Sequence, residues 1–163
     1  MGSAAMNVQR CYNIFEETCR QVFKPLIDQF NFKIISVDRG PINVGVHITY
    51  GNATTAMQAS FEPQEEAIWL YLIRLTDGKI PEYPHKYPEN AFYLEELLQV
   101  RAPNLQLRTQ KEQPLRLMTK ENLKDTLERY VEALRTHASD VLMGDFRIFA
   151  DIQKLRKEHQ PGK

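Results

Sequence analysis

Two cysteines and four histidines are the side chains of this sequence best suited to nucleophilic, acid–base or metal chemistry. Cys11 and Cys19 fall on the apolar stripe of the first helical segment, where a thiol usually packs as a small hydrophobic group. The histidines lack the spacing of a zinc site, and no serine lies in a G-x-S-x-G turn. The sequence therefore predicts no catalytic residue and no bound metal.

Phosphate-binding and paired-carboxylate motifs are also missing. The seven glycines form neither a G-x-x-x-x-G-K-[ST] loop nor a G-x-G-x-x-G turn, so no cofactor is expected. Glu95 and Glu96 are adjacent, and their side chains would point about 100° apart on a helix, which favours a solvated face over acid–base work. His137 is interpreted as a boundary residue. Asp145 is interpreted as a helix cap, with a ligand-binding turn as the alternative.

Two aromatic features carry the binding hypothesis. The apolar run from Ala67 to Leu75 has Trp69 and Tyr71 on one face of a predicted strand. The proline-rich segment that follows carries Tyr83, His85 and Tyr87, and its restricted backbone would lower the entropy cost of binding. Core packing is the alternative for both features. The predicted binding residues are Trp69, Tyr71, Tyr83, His85 and Tyr87.

Charge and composition exclude several classes of protein. The 163 residues fit one domain, and 21 basic residues balance 21 acidic ones, which argues against nucleic-acid binding. The longest apolar run, Ala67–Ile73, is far too short to cross a membrane. Cys11 and Cys19 would lie about 12 Å apart on a helix, too far for a disulfide. We therefore expect reduced thiols and a cytoplasmic protein with no membrane association.

Hydrophobic periodicity predicts a long helix followed by strands. Apolar residues recur every three or four positions from Val8 to about residue 23, with a short continuation after Pro25. The period then changes to two, first around residues 32–37 and most clearly over Ile42–Tyr50. A two-residue turn at Gly51-Asn52 would pair Ile42 with Phe61, Val44 with Ala59, Val46 with Met57 and Ile48 with Thr55. This register would bury Val44, Val46 and Ile48 and leave Asn43, His47 and Thr49 more exposed.

The second half of the chain is predicted to be mainly helical. A short helix covers residues 92–100, and a long helix covers Lys120–Met143 behind an N-cap at Thr119. Gly144 is predicted to end it in a left-handed conformation, before a last helix that carries Phe149. The order gives an α+β fold: a long N-terminal helix, an antiparallel meander of three to four strands, and C-terminal helices packed on the sheet. We expect one domain over residues 7–159, a cloning remnant or disordered start over 1–6, and a frayed tail over 160–163.

The stretch Leu134–Leu155, centred on Val141-Leu142-Met143-Gly144-Asp145-Phe146, resembles the ends of small uncharacterised bacterial α+β proteins of the toxin-immunity type. The resemblance covers the C-terminal third and implies a cytosolic protein that acts by binding another protein. We therefore expect a non-enzymatic protein-binding domain, with a homodimer left open. The alternative is a small-molecule-binding domain or enzyme with a pocket between sheet and helices, lined by Trp69, Tyr71 and the Tyr83–Tyr87 segment.

Overall fold

The computed structural model describes residues 2–64, 67–82, 90–107 and 120–160, with side chains from residue 8 onward. Its secondary structure comprises α1 (Gly2–Val22), α2 (Lys24–Phe30), β1 (Lys33–Arg39), β2 (Val46–Gly51), β3 (Thr55–Glu62), β4 (Ala67–Arg74), β5 (Ala91–Tyr93), α3 (Leu94–Arg101), α4 (Lys120–His137), α5 (Ser139–Leu142) and α6 (Ile148–Glu158).

The strands form one antiparallel meander in the order β1-β2-β3-β4-β5. This confirms the α+β prediction, with five strands in place of three to four. Strand β5 pairs with β4 through Tyr71 and Tyr93, although the sequence pattern predicts the start of a helix there. Three residues that run straight into α3 are too few to show a period of two.

The β2–β3 register differs from the prediction. Val46 pairs with Phe61 and Tyr50 with Met57, a shift of four residues in partner. Because the shift is even, the same side chains still share a face.

The shift arises because the turn between β2 and β3 is longer than the predicted Gly51-Asn52: Gly51 still pairs, with Ala56, and β3 begins only at Thr55. The turn between β1 and β2 is also longer than predicted, and β2 begins only at Val46. Ile42 and Val44 stay 48% and 46% exposed in this turn, against the prediction of a buried Val44. Thr49, predicted as exposed, is buried. The turn ends at Gly45, which has φ +87°, and a Cβ there would clash with the Phe61 carbonyl oxygen.

The core lies between one face of the sheet and the helices. Phe15 and Phe23 of the N-terminal helical region stack on Phe61 and Tyr50, with ring centroids 5.5 and 5.4 Å apart. Tyr12 is buried, and its hydroxyl donates to the Gly40 carbonyl at 3.0 Å. The N-terminal helix is therefore fixed against both the sheet and the β1–β2 turn.

The N-terminal helix divides beside Pro25 as the sequence indicates: α1 ends at Val22 and α2 begins at Lys24. Helix α1 begins at Gly2, inside the residues 1–6 that were expected to form a separate start. Its cysteines are both free thiols, with Cys19 buried and Cys11 half-buried. Within the described residues, no helix has the length and hydropathy that a membrane crossing needs.

The predicted helix over Lys120–Met143 is interrupted at Ala138, where φ is −126°. Gly144 has φ +96°, which confirms its left-handed conformation. Its amide donates to Val141 at 3.0 Å and the Asp145 amide donates to Asp140 at 2.9 Å, the pair of bonds that defines a Schellman motif.

Asp145 does not stand at the N-cap position of α6, which begins three residues later at Ile148. Its carboxylate instead accepts the Arg147 amide at 3.1 Å, in the turn that leads into the helix. The N-cap predicted at Thr119 lies outside the described residues.

Candidate functional site

Strand β4 has one face against the helices and one face away from them. Leu70 and Leu72 point into the core and are 1% and 0% exposed. Trp69 and Tyr71 alternate with them and are only half-buried. We call the sheet face that carries Trp69 and Tyr71 the outer face. The structure thus confirms that the two aromatic residues share a face, and it places that face opposite the core.

A third aromatic residue, Tyr93, completes a row on the outer face. Its ring centroid lies 3.9 Å from that of Tyr71 and 5.4 Å from that of Trp69. We call Trp69, Tyr71 and Tyr93 the aromatic strip. Sequence reasoning missed Tyr93 because it assigned the residue to a helix, where it would not align with a strand.

Tyr93 is held in place by the start of α3. Its backbone amide donates to the Glu96 carboxylate at 2.8 Å, and Glu96 also accepts Arg156 of α6 at 2.6 Å. Burial, together with the charges of Glu96 and Glu95, raises the pKa of the Tyr93 hydroxyl. The aromatic strip is therefore positioned by both a strand pairing and a helix cap, and its Tyr93 hydroxyl stays neutral at physiological pH.

A polar pair lies beside the aromatic strip. His47 pairs with Ser60 across β2 and β3, and its Nδ1 lies 2.7 Å from the Ser60 hydroxyl. The predicted register places Ala56 opposite His47, so this contact could not be foreseen. A His–Ser pair could activate a nucleophile, but Ser60 is only 4% exposed and no described carboxylate forms an ion pair with His47. The geometry fits an anchored histidine better than a catalytic one.

Charge is absent from the centre of the outer face, as far as the structure describes it. The outer-face positions of β2, β3 and β4 at this centre are His47, Thr49, Gly51, Ala56, Gln58, Ser60, Trp69, Tyr71 and Ile73. Tyr71 packs against a small apolar cluster formed by Ala56, Ile73, Leu75 and Ala91, and no residue of a described helix belongs to that cluster. The centre of the outer face is thus uncharged and aromatic, and hydroxyl and amide groups border it.

The remaining predicted binding residues, Tyr83, His85 and Tyr87, lie outside the described residues. Their approach to the aromatic strip stays a prediction.

The alternative of a pocket between the sheet and the helices, lined by Trp69 and Tyr71, is wrong in its placement. Those two rings face away from the helices, and the interface itself is filled by core side chains such as Ile48 and Leu70. A cleft of about 290 Å³ occurs elsewhere, at the end of α3, and Glu95 is the charged residue among its described lining.

The fold and surface together define a two-layer α+β domain with helices on one sheet face and an uncharged aromatic strip on the other. No known protein family, curated protein or solved structure matches this chain. Its function must therefore be inferred from its own surface.

Proposed function

We propose that this chain is a non-enzymatic domain that binds another protein on the outer face of its sheet. The observation that carries the proposal is the uncharged centre of the outer face, with the aromatic strip at its β4–β5 side. The cores of protein–protein interfaces are depleted in charge and enriched in aromatic residues. Trp and Tyr are also the residue types that most often dominate binding energy.

A protein partner suits this surface better than a small molecule does. Small-molecule sites are concave and enclose most of the ligand. Trp69 and Tyr71 instead lie side by side on a sheet face, half-buried, and the sheet–helix interface behind them is close-packed. A broad protein surface could cover the aromatic strip together with Gln58 and His47.

The toxin-immunity resemblance suggests the kind of partner. Immunity proteins that oppose basic nucleases carry strong acidity, whereas this chain has 21 residues of each sign. We therefore propose a toxin domain without a strongly basic surface, bound in the cytoplasm. The free thiols of Cys11 and Cys19 support a reducing compartment.

Site-directed photo-crosslinking tests the proposal. A photo-reactive phenylalanine analogue replaces Gln58 on the outer face, or Lys124, a 53% exposed residue of α4, as the matched control. In extracts of the source organism we expect one discrete adduct from position 58 and none from position 124. The captured protein is then purified, and its Kd is measured with the wild-type chain and with Trp69→Ala. Equal crosslinking from both positions, or an unchanged Kd, would overturn the proposal.

A further inference from the structure

Strand β1 is an edge of the sheet. It pairs with β2 on one side, and no described strand occupies its other side. An antiparallel edge strand presents every second amide and carbonyl to an additional strand. Exposed aliphatic side chains are concentrated here: Ile35 is 53% exposed on β1, and Ile42 and Val44 follow in the adjacent turn.

The edge contains a β-bulge. Ile34 pairs with Tyr50 and Ser36 with Thr49, so that Ile35 is the extra residue. A Cβ on Gly51 would clash with the Ile35 Cδ1, so the Ile35 side chain covers that glycine on the outer face.

The bulge changes which residues of β1 share a face. Lys33 is opposite Gly51 and Asp38 is opposite His47, which places both charged residues on the outer face. Ile34 and Val37, opposite Tyr50 and Ile48, both point to the core side, where they are partly buried against it. Without the extra residue, positions five apart would lie on opposite faces.

The side chains of β1 are complementary to those of a second β1 that runs in the opposite direction. We propose that β1 pairs antiparallel with β1 of a second copy, with Lys33 opposite Asp38 of that copy and Ile34 opposite its Val37. Opposite charges and apolar side chains then meet on matching faces, and the two-fold axis repeats each pair. The two sheets become continuous, and their outer faces lie on the same side.

The bulge favours a second copy over an unrelated strand. Bulges and charged residues protect edge strands because a regular strand cannot follow them without losing register. A second β1 carries the same bulge at the same place in the proposed register. It is therefore a strand that can pair along the whole length of Lys33–Arg39.

Engineered cysteines test the register directly. In the double variant Lys33→Cys, Asp38→Cys, each cysteine faces its counterpart in the second copy. The alternation of the ladder makes this a non-hydrogen-bonded pair, with Cα atoms about 4.5 Å apart, within disulfide range. Within one chain the two cysteines are about 16 Å apart along the strand and cannot join. Each single variant is the matched control. Its one cysteine lies as far from the same cysteine of the second copy as positions 33 and 38 lie from each other within one chain, so the two cannot join.

On mild oxidation we expect the double variant to give a covalent dimer on a non-reducing gel and each single variant to stay monomeric. Sedimentation equilibrium gives the reversible counterpart. Lys33→Glu alone and Asp38→Lys alone should each weaken dimerisation about tenfold, and the combined exchange should restore it. Lys24→Glu, at an exposed position of α2, should leave dimerisation unchanged. A monomeric wild type, or a double-cysteine variant that links no better than the singles, would overturn the proposal; neither result bears on partner binding by the outer face.

Discussion

The side-chain amide of Asn52 donates a hydrogen bond to the carbonyl oxygen of Leu142, 90 residues further along the chain, at 2.9 Å. The same amide donates to the Phe30 carbonyl at 3.0 Å. Its oxygen accepts the amides of Thr54 and Thr55, at 3.0 and 2.9 Å. One residue of the β2–β3 turn thus ties the ends of α2 and α5 to the sheet.

Asn52→Ala should therefore lower the free energy of unfolding by about 2–3 kcal/mol, because it leaves carbonyl and amide groups without their partner. Asn43→Ala, in the exposed β1–β2 turn, is the control and should stay within about 0.5 kcal/mol of wild type. Urea denaturation measures both. A loss for Asn52→Ala no larger than that for Asn43→Ala would show that the turn is held by other contacts.

Gly144 should resist substitution for two separate reasons. Its φ of +96° disfavours any side chain, and a Cβ would stand 2.7 Å from the Thr54 hydroxyl. Gly78 has φ +74°, but a Cβ there would meet nothing closer than 4.0 Å. We expect Gly78→Ala to cost about 1 kcal/mol from backbone strain and Gly144→Ala at least about 1 kcal/mol more from the clash. Equal unfolding midpoints for the two variants would rule out the close contact with Thr54.

Replacing Tyr50 should raise the stability of the protein, whereas the substitutions above lower it. Its ring stacks on Phe23, but its buried hydroxyl has no hydrogen-bond partner among the described residues. Burial raises the pKa of this phenol above its usual value. Tyr50→Phe keeps the ring and removes the unpaired group, so it should stabilise the protein by about 1 kcal/mol.

Tyr12→Phe is the counterpart, since the Tyr12 hydroxyl donates to Gly40. It should destabilise the protein by a similar amount, about 1 kcal/mol. Opposite shifts in Tm are therefore expected for the two substitutions. A destabilised Tyr50→Phe variant would show that the Tyr50 hydroxyl is in fact satisfied.

The dependence of folding stability on acidic pH should change when Arg101 is replaced. Its guanidinium contacts both carboxylate oxygens of Asp140, at 2.7 and 2.6 Å, and this hydrogen bonding lowers the pKa of Asp140. A carboxylate whose pKa is depressed on folding stabilises the protein above its unfolded pKa, and that stabilisation is lost as the pH falls through the folded pKa. Both side chains are partly exposed, so the effect should not exceed about 1 kcal/mol.

Arg101→Gln should therefore destabilise the protein more at pH 7 than at about pH 3. Arg135→Gln, on the exposed side of α4, should show no such difference. Urea midpoints at both pH values measure the effect. An equal cost of Arg101→Gln at the two pH values would contradict the role of the ion pair.

The sequence predicted the order of elements wherever a pattern was long. The apolar run over Ala67–Leu75 and the helical stripe around Leu127 and Leu134 were strong enough to place β4 and α4. The left-handed helix end at Gly144 was also predicted correctly, because a glycine after a helical stripe is a signal that depends only on neighbouring residues. What failed was the register of β2 and β3, because the turn between them extends beyond Gly51-Asn52 and is shaped by the contacts of Asn52 with the distant Phe30 and Leu142. The predicted burial of Val44 failed because the alternation continues into the β1–β2 turn.

The candidate site could be predicted only where its residues belong to one element. Trp69 and Tyr71 belong to one strand, and a period of two puts them on one face. Tyr93 and the contact between His47 and Ser60 depend on which strands are neighbours and in what register. That information comes from long-range packing, which a single sequence does not display.

The most direct test of the outer-face proposal compares stability with affinity on the same samples. Leu70→Ala, on the core face of β4, should lose about 3 kcal/mol of stability while its folded fraction binds the captured partner normally. Trp69→Ala, one residue away, should lose about 1 kcal/mol or less of stability and raise the Kd for the partner by about thirtyfold or more. The double variant Tyr83→Ala, Tyr87→Ala should behave like Trp69→Ala. A Trp69→Ala protein that is as destabilised as Leu70→Ala, and whose folded fraction keeps the wild-type Kd, would contradict binding at the aromatic strip.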